Sequence, residues 1–434
     1  MFRHALLLML VYCGVPALAQ DQPQIATYAG RLAPLRVADD EAVPKGFRIT
    51  WFAPSLAVGA ADAIFVVEED LHALPWFLRA GFVPPAGPGG PIIGYQLDDR
   101  AQLVELPRLV MSDLPTKSAD DLSHEVSAAT IDGRKCRVFK GVLPSGRPAR
   151  VAVDAATGQL VRYKGTIVIG RGDRFELTLE LEESKKLSDA ESSKLKSLAK
   201  RIESLLPDVS EAADPIAAAI PKSLLETIHE QRKELIAAAR KTPYQKFVSD
   251  ILRDVDERRQ SQQRILAIAK KLIGSPAPAL PAKRLDGTPF DLARLKGKTV
   301  VLHFWHYDME PLTAPFGQVG PLDFLARKYG EQDVAAIGIA VDPNFAKPAA
   351  SQAAMHSSRR FAEFMNLDYP LCRDNGSLLR KYGDPLSLGA ELPLWVVIDP
   401  QGKVGFYRTG LFEQRKPGEG LKVLEAAVAE QQDP

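Results

Sequence analysis

Three features of the 434-residue chain predict an α+β protein of several domains. Short β-favouring runs punctuated by turn residues fill the first part, apolar residues then recur at helical spacing, and strand and helix patterns alternate to the end. The layout that follows is a β-rich, mostly antiparallel domain over 20–184, a helical segment over 185–273, a Pro-rich linker over 274–281 and an α/β domain over 282–434. At roughly 100–200 residues per domain the length agrees with two or three folded bodies. Lys plus Arg number 55 and Asp plus Glu 54, a balance that leaves almost no net field and argues against a dedicated nucleic-acid or polybasic membrane-surface protein.

The first element is a targeting segment. Arg3 precedes the apolar run Ala5–Tyr12, and Ala17-Leu18-Ala19 has the small-x-small form of a cleavage site, so residues 1–19 read as a signal peptide and the mature chain starts at Gln20. The run is short of the roughly 20 apolar residues a spanning helix needs, and no later stretch reaches that length. Tyr12 stands before Cys13 where a lipidation site wants a small residue. The expected location is therefore periplasmic or secreted. Cys136 and Cys372 remain after cleavage, too few for a disulfide framework or a zinc site.

Within the β-rich part, Phe47–Phe52, Ala63–Val67, Arg137–Val142, Ala149–Val153 and Phe175–Leu181 read as strands. Asp132-Gly133, Ser145-Gly146, Thr157-Gly158 and Gly170-Arg171-Gly172 read as turns, and Pro84–Pro91 as a loop. The last four strands are expected to form an antiparallel meander with one solvated face. His72 and His124 have no companion ligand or paired carboxylate and read as surface or capping residues. Helical stripes follow at Leu195–Leu206, Leu224–Ile236, Phe247–Val255 and Ile265–Ile273, the first three separated by Pro207, Pro221 and Pro243. Each stripe is expected to pack on its neighbours, with a homodimer seam through 187–273 as the alternative. Gly274–Pro281 is stiff and Pro-rich, the clearest boundary in the chain.

Beyond it, Lys298–Trp305 is a near-continuous apolar run, as expected of a strand covered on both faces. Leu322–Tyr329 is helical, Val334–Val341 a strand, Ser357–Met365 helical and Leu394–Ile398 a strand. The turn Pro400-Gln401-Gly402, the strand Val404–Arg408 and a closing helix Gly418–Gln431 complete the pattern of a central sheet covered by helices.

Leu285–Leu292, Leu295–Lys298, Val300–Trp305 and Leu392–Val404 resemble, in order, the exported thioredoxin-like proteins of the TlpA/ResA type, which are related to the redoxin and AhpC/TSA group. The resemblance implies a thioredoxin-like fold for 282–434 and puts Pro393 at the family's cis-proline beside the active site. It also exposes a departure. Counted from Phe304-Trp305, the family's Cys-x-x-Cys positions are occupied by Met309 and Leu312, flanking Glu310-Pro311. Neither side chain can form the thiolate that dithiol exchange or peroxide reduction requires. A shorter resemblance, Asp154–Arg162, is to lipoprotein-sorting-like half-barrels, whose curved sheet offers an apolar face to a lipid or peptide.

The expected function is therefore a degenerate redoxin, a non-catalytic binding or scaffolding module of the cell envelope with a protein or peptide partner and no cofactor. Its groove would be lined by Trp305, His306, Glu310, Pro311, Leu392 and Pro393. The alternative is a thiol-disulfide oxidoreductase or peroxidase-like enzyme using Cys372 alone, activated if Arg373 folds back toward it. Copper is a lesser alternative, since His303, His306 and Met309 surround the lost dithiol and suit that metal. His303 reads otherwise as a satisfied core polar group, Cys136 as a buried strand residue, and Asp308 and Glu310 as capping carboxylates at a helix start.

Overall fold

The computed structural model describes residues 22–35, 45–55, 63–69, 75–83, 90–97, 100–111, 125–142, 148–169, 172–207, 220–307, 316–330, 333–390, 392–412 and 419–432. The signal segment with Cys13, His72, His124, Ser145-Gly146, Gly170-Arg171, most of Pro84–Pro91 and the stretch from Asp308 to Leu312 lie outside them. The chain divides into two compact units, residues 1–210 with 215–252, and 211–214 with 253–434.

The described residues of the first unit form eleven strands: β1 (Gln24–Pro34), β2 (Lys45–Ala53), β3 (Ala63–Glu69), β4 (Ala80–Val83), β5 (Ile92–Leu97), β6 (Arg100–Glu105), β7 (Glu125–Ile131), β8 (Arg134–Val142), β9 (Pro148–Asp154), β10 (Leu160–Ile169) and β11 (Asp173–Lys186). Nine form one sheet in the order β4-β3-β2-β1-β11-β10-β9-β8-β7, every neighbouring pair antiparallel. Alternation sends Tyr28, Ile49, Val151, Tyr163, Leu177 and Leu179 to one buried face. The opposite face carries cross-strand ion pairs such as Arg48–Glu182 at 3.0 Å and Arg162–Glu180 at 3.1 Å. The Asp132-Gly133 turn joins β7 to β8 with both residues left-handed, φ 48° and 78°, as a two-residue hairpin loop requires.

Two expectations need correction. The strand Ala63–Val67 does not join the meander but pairs with β2 and β4, and β10 stands between β9 and β11. The apolar face of the sheet, expected to be offered to a ligand, is buried within the unit, where Leu106, Leu109, Val110 and Met111 join its core.

The helices are α1 (Asp189–Leu205), α2 (Lys222–Glu230), α3 (Arg232–Ala239) and α4 (Gln245–Leu272). Ser188 and Glu191 close a capping box at the start of α1. The stripe expected over Leu224–Ile236 is broken at Gln231, and the two expected after Pro243 are one helix. Leu195, Leu198, Ile202, Leu225, Ile228 and Leu235 are buried within the chain, whereas Ile236 and Leu266 face outward. Asp250 forms a buried 3.0 Å ion pair with Arg79, whose guanidinium also lies over the Phe247 ring.

The second unit holds β12 (Pro281–Arg284), β13 (Pro289–Asp291), β14 (Thr299–His306), α5 (Val319–Tyr329), β15 (Val334–Val341), α6 (Pro348–Phe364), β16 (Leu371–Asp374), α7 (Ser377–Lys381), β17 (Leu394–Ile398), β18 (Val404–Thr409) and α8 (Glu419–Gln432). Its seven-stranded sheet runs β13-β12-β16-β15-β14-β17-β18. Strands β14, β15 and β16 are parallel, and β17 and β18 antiparallel to their neighbours. Because β14 lies inside the sheet with both faces covered, it is apolar almost throughout. Val300, Leu302 and Phe304 face a core with Leu378, Leu379 and Tyr382 that also takes Ile265 and Ala269 of α4. Val301 and Trp305 face Leu322 and Leu325 of α5 and Leu424 and Val428 of α8.

The contacts thus divide inside α4, between Leu252 and Arg253, and not at the Pro-rich stretch. That stretch is hydrogen-bonded to the start of β18 through Gly274 N–H to the Val404 carbonyl (2.7 Å) and Ala277 N–H to the Gly402 carbonyl (2.8 Å). The Tyr382 hydroxyl donates to the Pro278 carbonyl at 3.0 Å. Among the described residues no helix is long and apolar enough to cross a membrane.

Candidate functional site

The carboxyl ends of parallel strands are where a sheet of this kind presents a ligand site, because the connections there diverge. In the second unit that end is formed by the last residues of β14, the start of α5 and the turn into β17. The Leu392–Pro393 peptide is cis, and Leu394 pairs with Phe304, which sets Pro393 beside Trp305. The Gly410 N–H donates to the Pro393 carbonyl at 2.8 Å. Gln318, buried and left-handed at the start of α5 (φ 58°), clasps the backbone of Phe412. Its Nε2 donates to the Phe412 carbonyl at 2.9 Å and its Oε1 accepts the Phe412 N–H at 3.0 Å. Three segments distant in sequence are thereby tied together at one end of the sheet.

The expected site residues divide among three places. His306 is exposed at the end of β14, Leu392 is partly buried and Pro393 buried, so these stand where a groove would need them. Trp305 does not line a groove. It is 1% exposed and packs against Tyr307 and Phe361 in the core, because its position in β14 points it toward α5 and α6. Glu310, Pro311, Met309 and Leu312 lie outside the described residues.

His303 is fully buried, as a core residue should be, and the polar group that faces its ring is the backbone of Gly317, just before α5, beyond full hydrogen-bond geometry. Its imidazole stacks on Trp395, with ring centroids 4.0 Å apart and planes inclined by 25°. Burial drives its pKa down to about 3, with the backbone of Gly317 opposing the shift. It is therefore neutral at any physiological pH. Strand β14 continues to His306, so His303 and His306 fall on opposite faces and the structure does not bring them together as ligands of one ion.

Cys372 lies in β16, inside the sheet and fully buried. Burial pushes its thiol up to about 12, with the Arg284 guanidinium only partly offsetting the cost. Arg373 does not fold back toward it. Being next in the strand, it points to the other face, where its Nη1 lies 2.9 Å from the Met355 sulfur and 3.5 Å from Ser351 Oγ. Cys136, in β8 of the first unit, is also buried, and burial likewise raises its thiol. Sequence reasoning missed the Gln318 clasp and the pairing of His303 with Trp395. The first depends on a left-handed residue and a partner 94 positions away, the second on strand register, and neither leaves a periodic trace.

Parallel β14–β16, the antiparallel pair β17–β18 and a cis-proline beside the end of β14 define a thioredoxin-like domain. Residues 273–407 match the AhpC/TSA family. Peroxiredoxin Q, chloroplastic, of Triticum aestivum is 30% identical over 172 residues, 39% of this chain and 73% of that protein. The Gentiana triflora protein of the same name is 30% identical over 168 residues, covering 38% and 71%. Through this domain the chain belongs to the AhpC/TSA family. Among solved structures, a thioredoxin-family thiol:disulfide interchange protein from Chlorobium tepidum is 19% identical, with 36% of this chain and 96% of that one covered and a TM-score of 0.28. Peroxidoxin BcpB from Mycobacterium tuberculosis is 22% identical, covering 36% and 94%, with a TM-score of 0.27.

Proposed function

We propose that the chain is an exported member of this family that keeps the thioredoxin-like scaffold without its thiol chemistry, acting as a non-catalytic binding or scaffolding module of the cell envelope. The observation that carries the reading is the state of its sulfur. The dithiol positions hold Met309 and Leu312, and the one cysteine of the domain, Cys372, is buried with a pKa of about 12. At pH 7 that leaves on the order of one thiolate in 10⁵ molecules, far below what a reactive cysteine presents. What the scaffold retains is the end of the sheet beside Pro393, with His306 and Leu392 flanking it. An extended segment of a partner could add there by backbone pairing, with the side chains on either side selecting it.

The test is insulin reduction and peroxide consumption by the whole protein and by Cys372→Ser. We expect no thiol-dependent turnover from either. Turnover by the wild type that disappears in Cys372→Ser would replace this reading with a single-thiol enzyme.

A further inference from the structure

Away from Pro393, on the far side of β14 in the sheet, two cations share one face. Lys283 of β12 and Arg373 of β16 stand directly opposite each other in an antiparallel pair, so both side chains leave the face that α6 covers. Like charges at such positions repel and call for a counter-charge. None is present among the described residues: Lys283 is exposed with no ion pair, and Arg373, half-buried, meets only neutral side chains of α6. The nearest carboxylates in sequence are engaged elsewhere. Asp374 turns to the opposite face and accepts from the Leu378 and Leu379 N–H groups, while Asp286 accepts from the backbone and the hydroxyl of Thr288. Arg359, the other cation on this side of α6, spends two donors on the Leu285 carbonyl.

The Arg373 guanidinium is also held in one orientation. Its Nη1 is the nitrogen that meets the Met355 sulfur and Ser351 Oγ, which leaves Nε and Nη2 without a partner among the described residues. Those two donors point in parallel and form the edge with which arginine takes two oxygens of a single anion. We propose that Arg373 and Lys283 form a binding site for a phosphate group, held bidentately by Nε and Nη2 of Arg373 and neutralised on its other side by the Lys283 ammonium. A phosphate group carries close to two negative charges near neutral pH and so matches the two cations, whereas a single carboxylate would leave one uncompensated. The Met355 thioether is a weak, uncharged acceptor, so it orients the guanidinium without neutralising it.

The measurement is titration calorimetry of the full chain at about pH 8 with inorganic phosphate, and separately with O-phosphoethanolamine as a monoester, each against chloride at equal ionic strength. Thermal unfolding under the same conditions gives a second readout. The wild type should bind saturably in the millimolar range and melt at a higher temperature with phosphate than with chloride. Arg373→Gln and Lys283→Gln should each weaken binding about tenfold, the loss of one charge-assisted contact. Arg373→Lys, which keeps the charge but loses the fork, should recover only part of the affinity. Lys422→Gln, exposed on α8, should leave it unchanged, which separates the site from general screening. Binding of inorganic phosphate alone supports a site for the free ion, and binding of the monoester, with or without the ion, a site for a phosphorylated ligand. The proposal is overturned if neither ligand gives saturable heat or a rise in melting temperature. It is also overturned if the affinity is unchanged in both Arg373→Gln and Lys283→Gln, or falls equally in Lys422→Gln. Because Lys283 is exposed, its variant decides the matter if Arg373→Gln does not fold.

Discussion

The residue that most limits the chemistry of this protein is Cys372. A thiol is reactive in proportion to its thiolate, and the strand that carries Cys372 is covered on both faces, so the neutral form is the one the fold accepts. The consequence for stability has a definite sign. Because its folded pKa of about 12 lies above the ordinary thiol value of 9.0, its contribution is complete below pH 9 and is lost as pH rises from there toward 12. Between pH 8 and 10.5 the wild type should lose about 2 kcal/mol more stability than Cys372→Ala, as measured by urea unfolding at the two pH values. The difference between the two proteins isolates the thiol from the tyrosines, several of which are also buried and shifted upward. An equal loss in both would mean the thiol ionises as freely in the fold as out of it, and the argument against thiol chemistry would weaken with it.

At the scale of elements, α4 decides where the thioredoxin-like domain begins. Its last turns supply Ile265 and Ala269 to the core under β14, with Ile268 and Leu272 packed against it. Ile268 comes so close to Gly383 (φ 94°) that a β-carbon there would lie 2.6 Å from its Cγ2, so the position accepts only glycine. Removing these side chains forfeits burial of about 4–6 kcal/mol, comparable to the whole stability of many domains. A fragment 253–434 should therefore unfold cooperatively on heating. A fragment 275–434, cut at the boundary the Pro-rich stretch suggests, should bind a hydrophobic dye and melt without a sharp transition; equal behaviour of the two would show that α4 is dispensable. The first unit depends on α4 too, through the buried ion pair of Asp250 with Arg79.

For the whole molecule, the reading rests on export. A segment with Arg3, an apolar run and Ala17-Leu18-Ala19 is expected to direct the chain out of the cytoplasm and be removed. N-terminal sequencing of protein recovered from the envelope fraction should then begin at Gln20. A chain still starting at Met1 in the cytoplasmic fraction would place the scaffold in a different setting. The apolar stripes of α1 to α3 are largely enclosed within the chain, with Ile236 of α3 facing outward.

The alternation of patterns, the apolar run of β14 and the turn residues were sufficient to place β14, α5, β15, α6, β17, β18 and α8 of the second unit, because periodicity is a local property, whereas the short β12, β13, β16 and α7 left no such trace. The Met309 and Leu312 that the resemblance sets at the dithiol positions were legible for the same reason: they are what they are wherever they lie. Tertiary structure alone decided that Trp305 is core rather than groove, that Arg373 turns away from Cys372, that α4 belongs partly to the second unit and that the His303 ring stacks on Trp395. Each of these depends on register and burial between segments far apart in the chain. Those relations are fixed only when the elements pack, and that packing also sets the proton affinity of His303 and Cys372.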